Sequence, residues 1–518
     1  MTRPTPASPR GLRDVPLLGF VILQSLIIFA VQQRRTLWGD EFNMLLTARK
    51  PLREGLLWLQ DYSAPLYQLV LRPFLTSDTP PVWLLRAPAF AFSIATVVAA
   101  WFFIERLFSR RAALIALCFI VLNPVFGLYS IQARPYTMFA FFSVASMWSF
   151  SALFAPRSVR SSALVAWVVS SVLLVYSHYY GFLVLGAQGV FAAIELLGRR
   201  DRRLTLRIAL AFAAIGVSCL PALWLISRYV RSGNAGMVGW IPRPERTDLL
   251  FLRQAGVLFG EEMLAIVCLA AAAFTIWRGD AQEIHPDESP SWWAWWSHRR
   301  GALLCALWIG FGLYFLVFVS YAVRPIYVSR YGLPIQVPLA AFLGAALARL
   351  RMPWLPLAVG ALLTLPAARL LQSDLRDDAR DYTHLIEALR AENTDQSPVY
   401  VTNLPYLPDF HNTELIGLRY YGYQSDESEP LVELARDRNG QVVLAEGVTL
   451  PREYRLFVVA AIGAPAIEGK LQGEGRAYRR QDFGTLTLLE IEKAGEPGRW
   501  LVTPAVGDGP APPRRTAE

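Results

Sequence analysis

Apolar residues run along the chain in stretches of roughly 17–25, the length a helix needs to cross about 30 Å of hydrocarbon. They fall near 15–32, 85–104, 112–128, 135–154, 162–177, 180–198, 207–227, 263–277, 302–323, 332–348 and 354–371, predicting about 11 membrane-spanning helices. The intervening 33–84 is too polar to span, but Phe42, Leu45, Leu46 and Arg49, then Leu56, Leu57 and Leu59, recur at helical spacing and predict helices lying in the interface plane. The loop at 228–262 opens with a Gly- and Pro-bearing stretch, Gly233 to Pro244, then turns helical through Leu249, Leu250, Leu252 and Leu258, a pattern suited to a cover over a site. From about Ser373 the pattern becomes that of a soluble domain. A helix is expected through Tyr382, Leu385, Ile386 and Leu389, strands at 399–401, 456–459 and 485–491, and further helices near 413–421 and 429–437. The expected organisation is a transmembrane domain over 1–372 and a small α/β domain over 373–518.

Composition agrees with a lipid setting: 54% of residues are hydrophobic and 18% charged, against roughly 25% charged in a soluble domain. The net charge of +9 resides mainly in arginines between apolar segments, which reads as a topology signal rather than a nucleic-acid footprint. With the amino terminus cytoplasmic, the inside loops are the richer in Arg, and an odd helix count places the carboxyl-terminal domain outside. For this Arg- and Ala-rich chain the expected location is a bacterial inner membrane with a periplasmic carboxyl-terminal domain. Cys118, Cys219, Cys268 and Cys305 all lie in apolar segments, so neither an exported disulfide nor a metal spacing is expected. The first apolar run is followed by Gln32, Gln33, Arg34 and Arg35 without a small-residue cleavage site, which predicts a retained helix. Trp292, Trp293, Trp295 and Trp296 form an aromatic group suited to interfacial anchoring.

Three groups of residues could carry chemistry. Trp38-Gly39-Asp40-Glu41 places a carboxylate pair where a Gly turn enters an amphipathic helix. Either one carboxylate serves as a general base in a partly desolvated pocket, or Asp40 caps the helix while Glu41 favours its positive end. Arg86, Arg134, Arg324 and Arg330 are expected at one outer level. There they either bind phosphate as fork-shaped donors or snorkel to headgroups. Ser177-His178-Tyr179-Tyr180-Gly181 is a tight turn between helices, whose His178 either contacts substrate or is a hydrogen-bonded structural residue. No acidic residue stands in the middle of a spanning segment, against an ion-coupled transporter. The sequence has no P-loop, G-x-S-x-G or H-E-x-x-H, against a nucleotide-driven pump, a common serine hydrolase and a zincin.

In order along residues 15–350, Asp40-Glu41, Ala64-Pro65-Leu66-Tyr67, Leu85-Arg86-Ala87-Pro88, Ala133-Arg134-Pro135-Tyr136, His178-Tyr179-Tyr180-Gly181 and Arg330-Tyr331-Gly332-Leu333-Pro334 resemble the GT-C superfamily of polytopic glycosyltransferases. The resemblance is particularly to the branch that holds the protein O-mannosyltransferases and lipid A aminoarabinose transferases. The resemblance implies transfer of a sugar from a polyprenyl-phosphate lipid to an acceptor hydroxyl of a glycan, lipid or protein on the outer side, with inversion. It implies Asp40 as the base, Glu41 as its support, Arg134, Arg330 and Arg86 at the donor phosphate, and His178, Tyr179 and Tyr331 at the substrate. Relatives often carry Glu where Gln132 stands, and His or Lys near Ser63 and Ala64, so neither a metal nor another cofactor is expected here. A flippase for a lipid-linked saccharide and a non-catalytic scaffold are the competing readings.

Overall fold

A computed structural model describes residues 15–32, 36–37, 39–57, 64–154, 161–231, 243, 270, 299–323, 325–350, 352–361, 381–394, 397–403, 413–421, 423, 431–436, 442–444, 450–452, 455–460, 464–483 and 486–493. The chain divides into two compact units, residues 1–34 with 44–373 and residues 35–43 with 374–518.

The first unit is helical. Helix α1 (Val15–Gln32) is followed by α2 (Gly39–Arg49), whose first turns belong to the other unit, and by the short α3 (Leu52–Leu57) and α4 (Leu66–Leu71). These occupy the loop where interfacial helices are expected. Next come α5 (Val82–Leu107), α6 (Arg110–Val121), α7 (Pro124–Ser130), α8 (Tyr136–Leu153), α9 (Ser161–Ser177), α10 (Gly181–Arg199), α11 (Arg202–Ser218) and α12 (Leu220–Arg231). After the interval 232–298, α13 (Arg300–Ile309) runs through a π-helical segment, Gly310–Phe315, into α14 (Leu316–Ala322). A 3₁₀ segment, Ser329–Ile335, then leads into α15 (Gln336–Ala348).

Among the described residues five helices are long and apolar enough to cross a membrane, or six if the pair α11 and α12, bent by 43°, is one span. Helix α9 and most of α1 are apolar but shorter. The segment expected at 263–277, the end of the one at 354–371, the loop at 228–262 beyond Arg231 and the Trp292–Trp296 group fall essentially outside the described residues.

The single span expected at 112–128 is two helices. Pro124 has no N–H to continue the ladder, and Asn123 caps the new helix by accepting from the N–H groups of Val125 (2.9 Å) and Phe126 (3.2 Å). Packing elsewhere relies on small residues and buried polar links, as expected where lipid offers little hydrophobic drive for helix association. A Cβ on Gly344 of α15 would fall 2.3 Å from the Ala112 carbonyl oxygen and 3.0 Å from Ala116 Cβ, so α15 and α6 touch backbone to side-chain stub. Helices α8, α9 and α10 are tied by Trp167 Nε1 donating to Gln188 Oε1 (2.9 Å), Gln188 Nε2 donating to Ser146 Oγ (2.8 Å), and Ser146 bonding Ser171 (2.8 Å). At one end of the bundle the buried Glu195 pairs with Arg199 (3.1 Å) and Arg300 (2.8 Å).

In the second unit, α16 (Tyr382–Glu392), β1 (Val399–Asn403), α17 (Thr413–Tyr420), β2 (Leu431–Arg436), β3 (Val442–Leu444), β4 (Leu456–Ala460), α18 (Ala464–Gly473), β5 (Tyr478–Phe483) and β6 (Leu486–Ile491) form an α/β domain. Its sheet has the order β3-β2-β1-β4-β6-β5. β1 runs parallel to both β2 and β4, and the other pairs are antiparallel. The segment expected to be helical at 429–437 is instead strand β2. Its Leu, Glu, Ala and Arg favour a helix, but β2 is hydrogen-bonded on both sides, and sheet pairing overrides so weak a preference. The strands at 399–401, 456–459 and 485–491 are present, and β4 and β6 are buried along their whole length.

Candidate functional site

At the end of the bundle opposite Glu195, α9 closes at Ser177 and α10 opens at Gly181. The His178 N–H still donates to Leu174 O (3.1 Å), and the Gly181 N–H donates to His178 O (2.8 Å). The reversal brings the chain back against the helix it has just left. A Cβ on Gly181 would meet Leu174 Cγ at 2.9 Å and its carbonyl oxygen at 3.1 Å, so this turn requires glycine.

His178, 1% exposed, is surrounded by aromatic rings from its own turn and from two further elements. It stacks on Phe139 of α8 (4.8 Å, 26°) and meets Tyr180 (5.0 Å) and Tyr331 of the 3₁₀ segment (4.9 Å). Tyr180 stands edge-on to Tyr331 (4.9 Å, 80°), and its hydroxyl donates to Ile326 O at 2.6 Å. Tyr136 lies 6.3 Å from Tyr331 and 6.4 Å from His178.

Two arginines converge on this group. Arg134, 2% exposed, donates from Nη2 to the Tyr136 hydroxyl (3.0 Å) and holds its guanidinium 5.4 Å from the centre of that ring. Arg330 lies 5.7 Å from the ring centre of its neighbour Tyr331. Burial first, then the positive charges of Arg134 and Arg330, push the His178 pKa down to about 3. The imidazole is therefore neutral at physiological pH. Its Nδ1 accepts the Tyr180 N–H at 3.3 Å, which places the remaining proton on Nε2. The resulting set is rich in donors: two guanidinium groups, an imidazole N–H and phenols. It suits an anion.

The same rings border a narrow apolar crevice. Phe139, Tyr180 and Tyr331 form the side nearest His178, Leu183 and Val184 of α10 another, and Trp308, Gly312 and Ile335 the side along the π-helical and 3₁₀ segments. Both irregular segments thus meet where the anion-suited group meets apolar surface; π segments are frequent at functional sites.

The structure therefore brings together Arg134, His178, Arg330 and Tyr331 from segments far apart in sequence. Tyr179 packs half-buried against the apolar core, where burial and then Tyr176 push its phenol pKa up. Arg86, 1% exposed, sits in α5, and Arg324 lies outside the described residues. Asp40 and Glu41 occupy the first turn of α2, within the other compact unit. That helix begins at Gly39, so Asp40 is inside the first turn rather than at the capping position before it. Asp40 is half-buried and Glu41 1% exposed. Among the described residues no three His, Cys, Asp or Glu side chains gather as metal ligands would.

In the sequence Tyr136 and Tyr180 stand out only as parts of motifs, and Phe139 and Trp308 look like any other apolar residue on a spanning helix. The juxtaposition of Tyr136, Tyr180 and Tyr331 at helix ends was the available signal.

No protein-family profile matches the sequence, and no curated protein is similar to it. Solved structures are similar. ArnT from Cupriavidus metallidurans in the apo state superposes with a TM-score of 0.56 at 14% identity, over 91% of this chain and 97% of that one. The same enzyme bound to undecaprenyl phosphate gives 0.56 and 14%, over 93% and 99%. The apo oligosaccharyltransferase of Archaeoglobus fulgidus gives 0.44 at 12%, over 80% of this chain and 61% of that one. The match to ArnT over nearly the whole of both chains shows that this chain shares the fold of that protein.

Proposed function

We propose that this protein is a membrane glycosyltransferase that moves a sugar from a polyprenyl-phosphate lipid to an acceptor hydroxyl. The acceptor is a glycan, lipid or protein, and the reaction takes place at the periplasmic face of a bacterial inner membrane. The observation that carries this reading is the donor-rich group of Arg134, Arg330 and neutral His178 beside an apolar crevice. A lipid phosphate needs both surfaces at once, and the similar ArnT was crystallised with undecaprenyl phosphate.

In this mechanism Asp40 takes the proton of the acceptor hydroxyl as its oxygen attacks the anomeric carbon from the face opposite the phosphate. The bond from that carbon to the phosphate oxygen breaks, and its electron pair leaves with the polyprenyl phosphate. The configuration inverts. Charge accumulates on the leaving phosphate, where Arg134 and Arg330, with Arg86 as a third donor, stabilise it more strongly than in the ground state. Neutral His178 supplies an N–H without adding a further positive charge beside Arg134 and Arg330. Asp40 is half-buried, and in this reading the buried Glu41 supports it.

The test is Asp40→Asn in the purified full chain, supplied with labelled undecaprenyl-phosphate-linked hexoses and pentoses and with membrane extract as acceptor. The variant should bind donor as before and transfer about 10²–10⁴-fold more slowly. Transfer at the normal rate would remove Asp40 as the base; movement of the donor across vesicles without glycosidic bond formation would favour a flippase.

A further inference from the structure

Within the second compact unit, the carboxyl-terminal residues supply no reacting group, yet they hold the segment that carries Asp40. Residues 35–43 belong to the compact unit formed with 374–518. The attachment has two points, one on each side of Asp40-Glu41. Before the pair, the fully buried Leu37 donates its N–H to the Tyr421 hydroxyl at 2.8 Å. After it, the fully buried Phe42 ring stands edge-on to Tyr382 (6.0 Å, 83°) and Tyr420 (5.6 Å, 69°).

The three tyrosines brace one another. Tyr382 and Tyr421 stack at 5.4 Å and 13°, and Tyr420 meets Tyr421 at 5.1 Å. Tyr382 lies against the backbone of α17, where a Cβ on Gly417 would fall 2.2 Å from Tyr382 Cζ. Its place on α16 is fixed by Asp381, whose carboxylate accepts the His384 N–H at 3.1 Å.

Two anchors within six residues, joined by the first turn of a helix, leave the Asp40 backbone little freedom. A base acts only when held close to the proton it abstracts, and a displacement of about 1 Å costs on the order of 10²-fold in rate. We propose that Tyr382, Tyr420 and Tyr421 form an aromatic clasp that positions Asp40 and Glu41, so that turnover depends on the α/β domain. The proposal rests on the reading of Asp40 as the base.

The experiment uses the full chain with Tyr421→Phe, which removes the hydroxyl and keeps the ring. Hydrogen exchange should accelerate in peptides covering 36–43, and kcat with undecaprenyl-phosphate-linked sugar should fall roughly tenfold while KM for that donor holds. The double variant with Asp40→Asn should be no slower than Asp40→Asn alone. Unchanged exchange, or faster exchange with wild-type kcat, overturns the clasp. Where Tyr421→Phe lowers the melting temperature sharply, Phe42→Leu gives the same readouts against the second anchor. If Asp40→Asn turns over normally, the base assignment fails, while the exchange data still decide whether the tyrosines hold the segment.

Discussion

Replacing His178 by lysine asks the donor-rich group to carry one more cation. The His178 pKa falls from 6.5 to about 3; at about 1.4 kcal/mol per pH unit, charging that ring in place costs about 5 kcal/mol. Lysine meets the same burial and the same two arginines, so His178→Lys should destabilise by several kcal/mol or drive Arg134 and Arg330 apart. Glutamine at this position stays neutral, keeps an acceptor for the Tyr180 N–H and a donor in place of Nε2–H, and loses mainly the stack on Phe139, about 1 kcal/mol. The pair should separate clearly in thermal melts in detergent and in binding of undecaprenyl phosphate.

The depressed pKa also has a pH signature. Below pH 6.5 the unfolded chain takes up a proton that the native ring refuses until about pH 3. The unfolded state binds more protons there, so stability is lost as pH is lowered, by up to about 1.4 kcal/mol per pH unit across that window. His178→Gln should lose this component of the slope. Equal slopes for His178→Gln and wild type, or a His178→Lys protein that melts no lower than His178→Gln, would refute the reasoning.

Two further outcomes follow from the geometry. Gly344→Leu forces α15 away from Ala112 and Ala116; it should cost about 1–3 kcal/mol or more and appear as a lower melting temperature. Arg134→Lys and Arg330→Lys keep the charge but lose the two-pronged donor, so each should weaken undecaprenyl phosphate binding about tenfold, measured by titration in detergent.

Much of the helical unit was legible because lipid imposes a length and composition on anything that crosses it. Val15–Gln32 and Tyr136–Leu153 lie within a residue or two of the apolar runs that predict them. The break at Asn123-Pro124 is hidden in the sequence by the run of hydrophobicity around it. Strand β2 was not legible, because its residues prefer a helix and only its two neighbouring strands decide otherwise. Of the site, the arginines stood out because charge is costly among apolar helices. Their convergence on His178 could not be read, since it joins residues about 44, 152 and 196 positions apart, a matter of helix packing. The clasp on Phe42 was hidden for the same reason, although Tyr420, Tyr421 and Tyr423 form an unusual aromatic run for a small α/β domain.

The most direct measurement is a density map of the full chain with undecaprenyl phosphate at a resolution that places the phosphate. The account predicts phosphate oxygens within about 3 Å of the Arg134 and Arg330 guanidinium groups, with the prenyl chain entering the crevice beside Phe139 and Trp308. A phosphate held elsewhere, touching neither arginine, would contradict it.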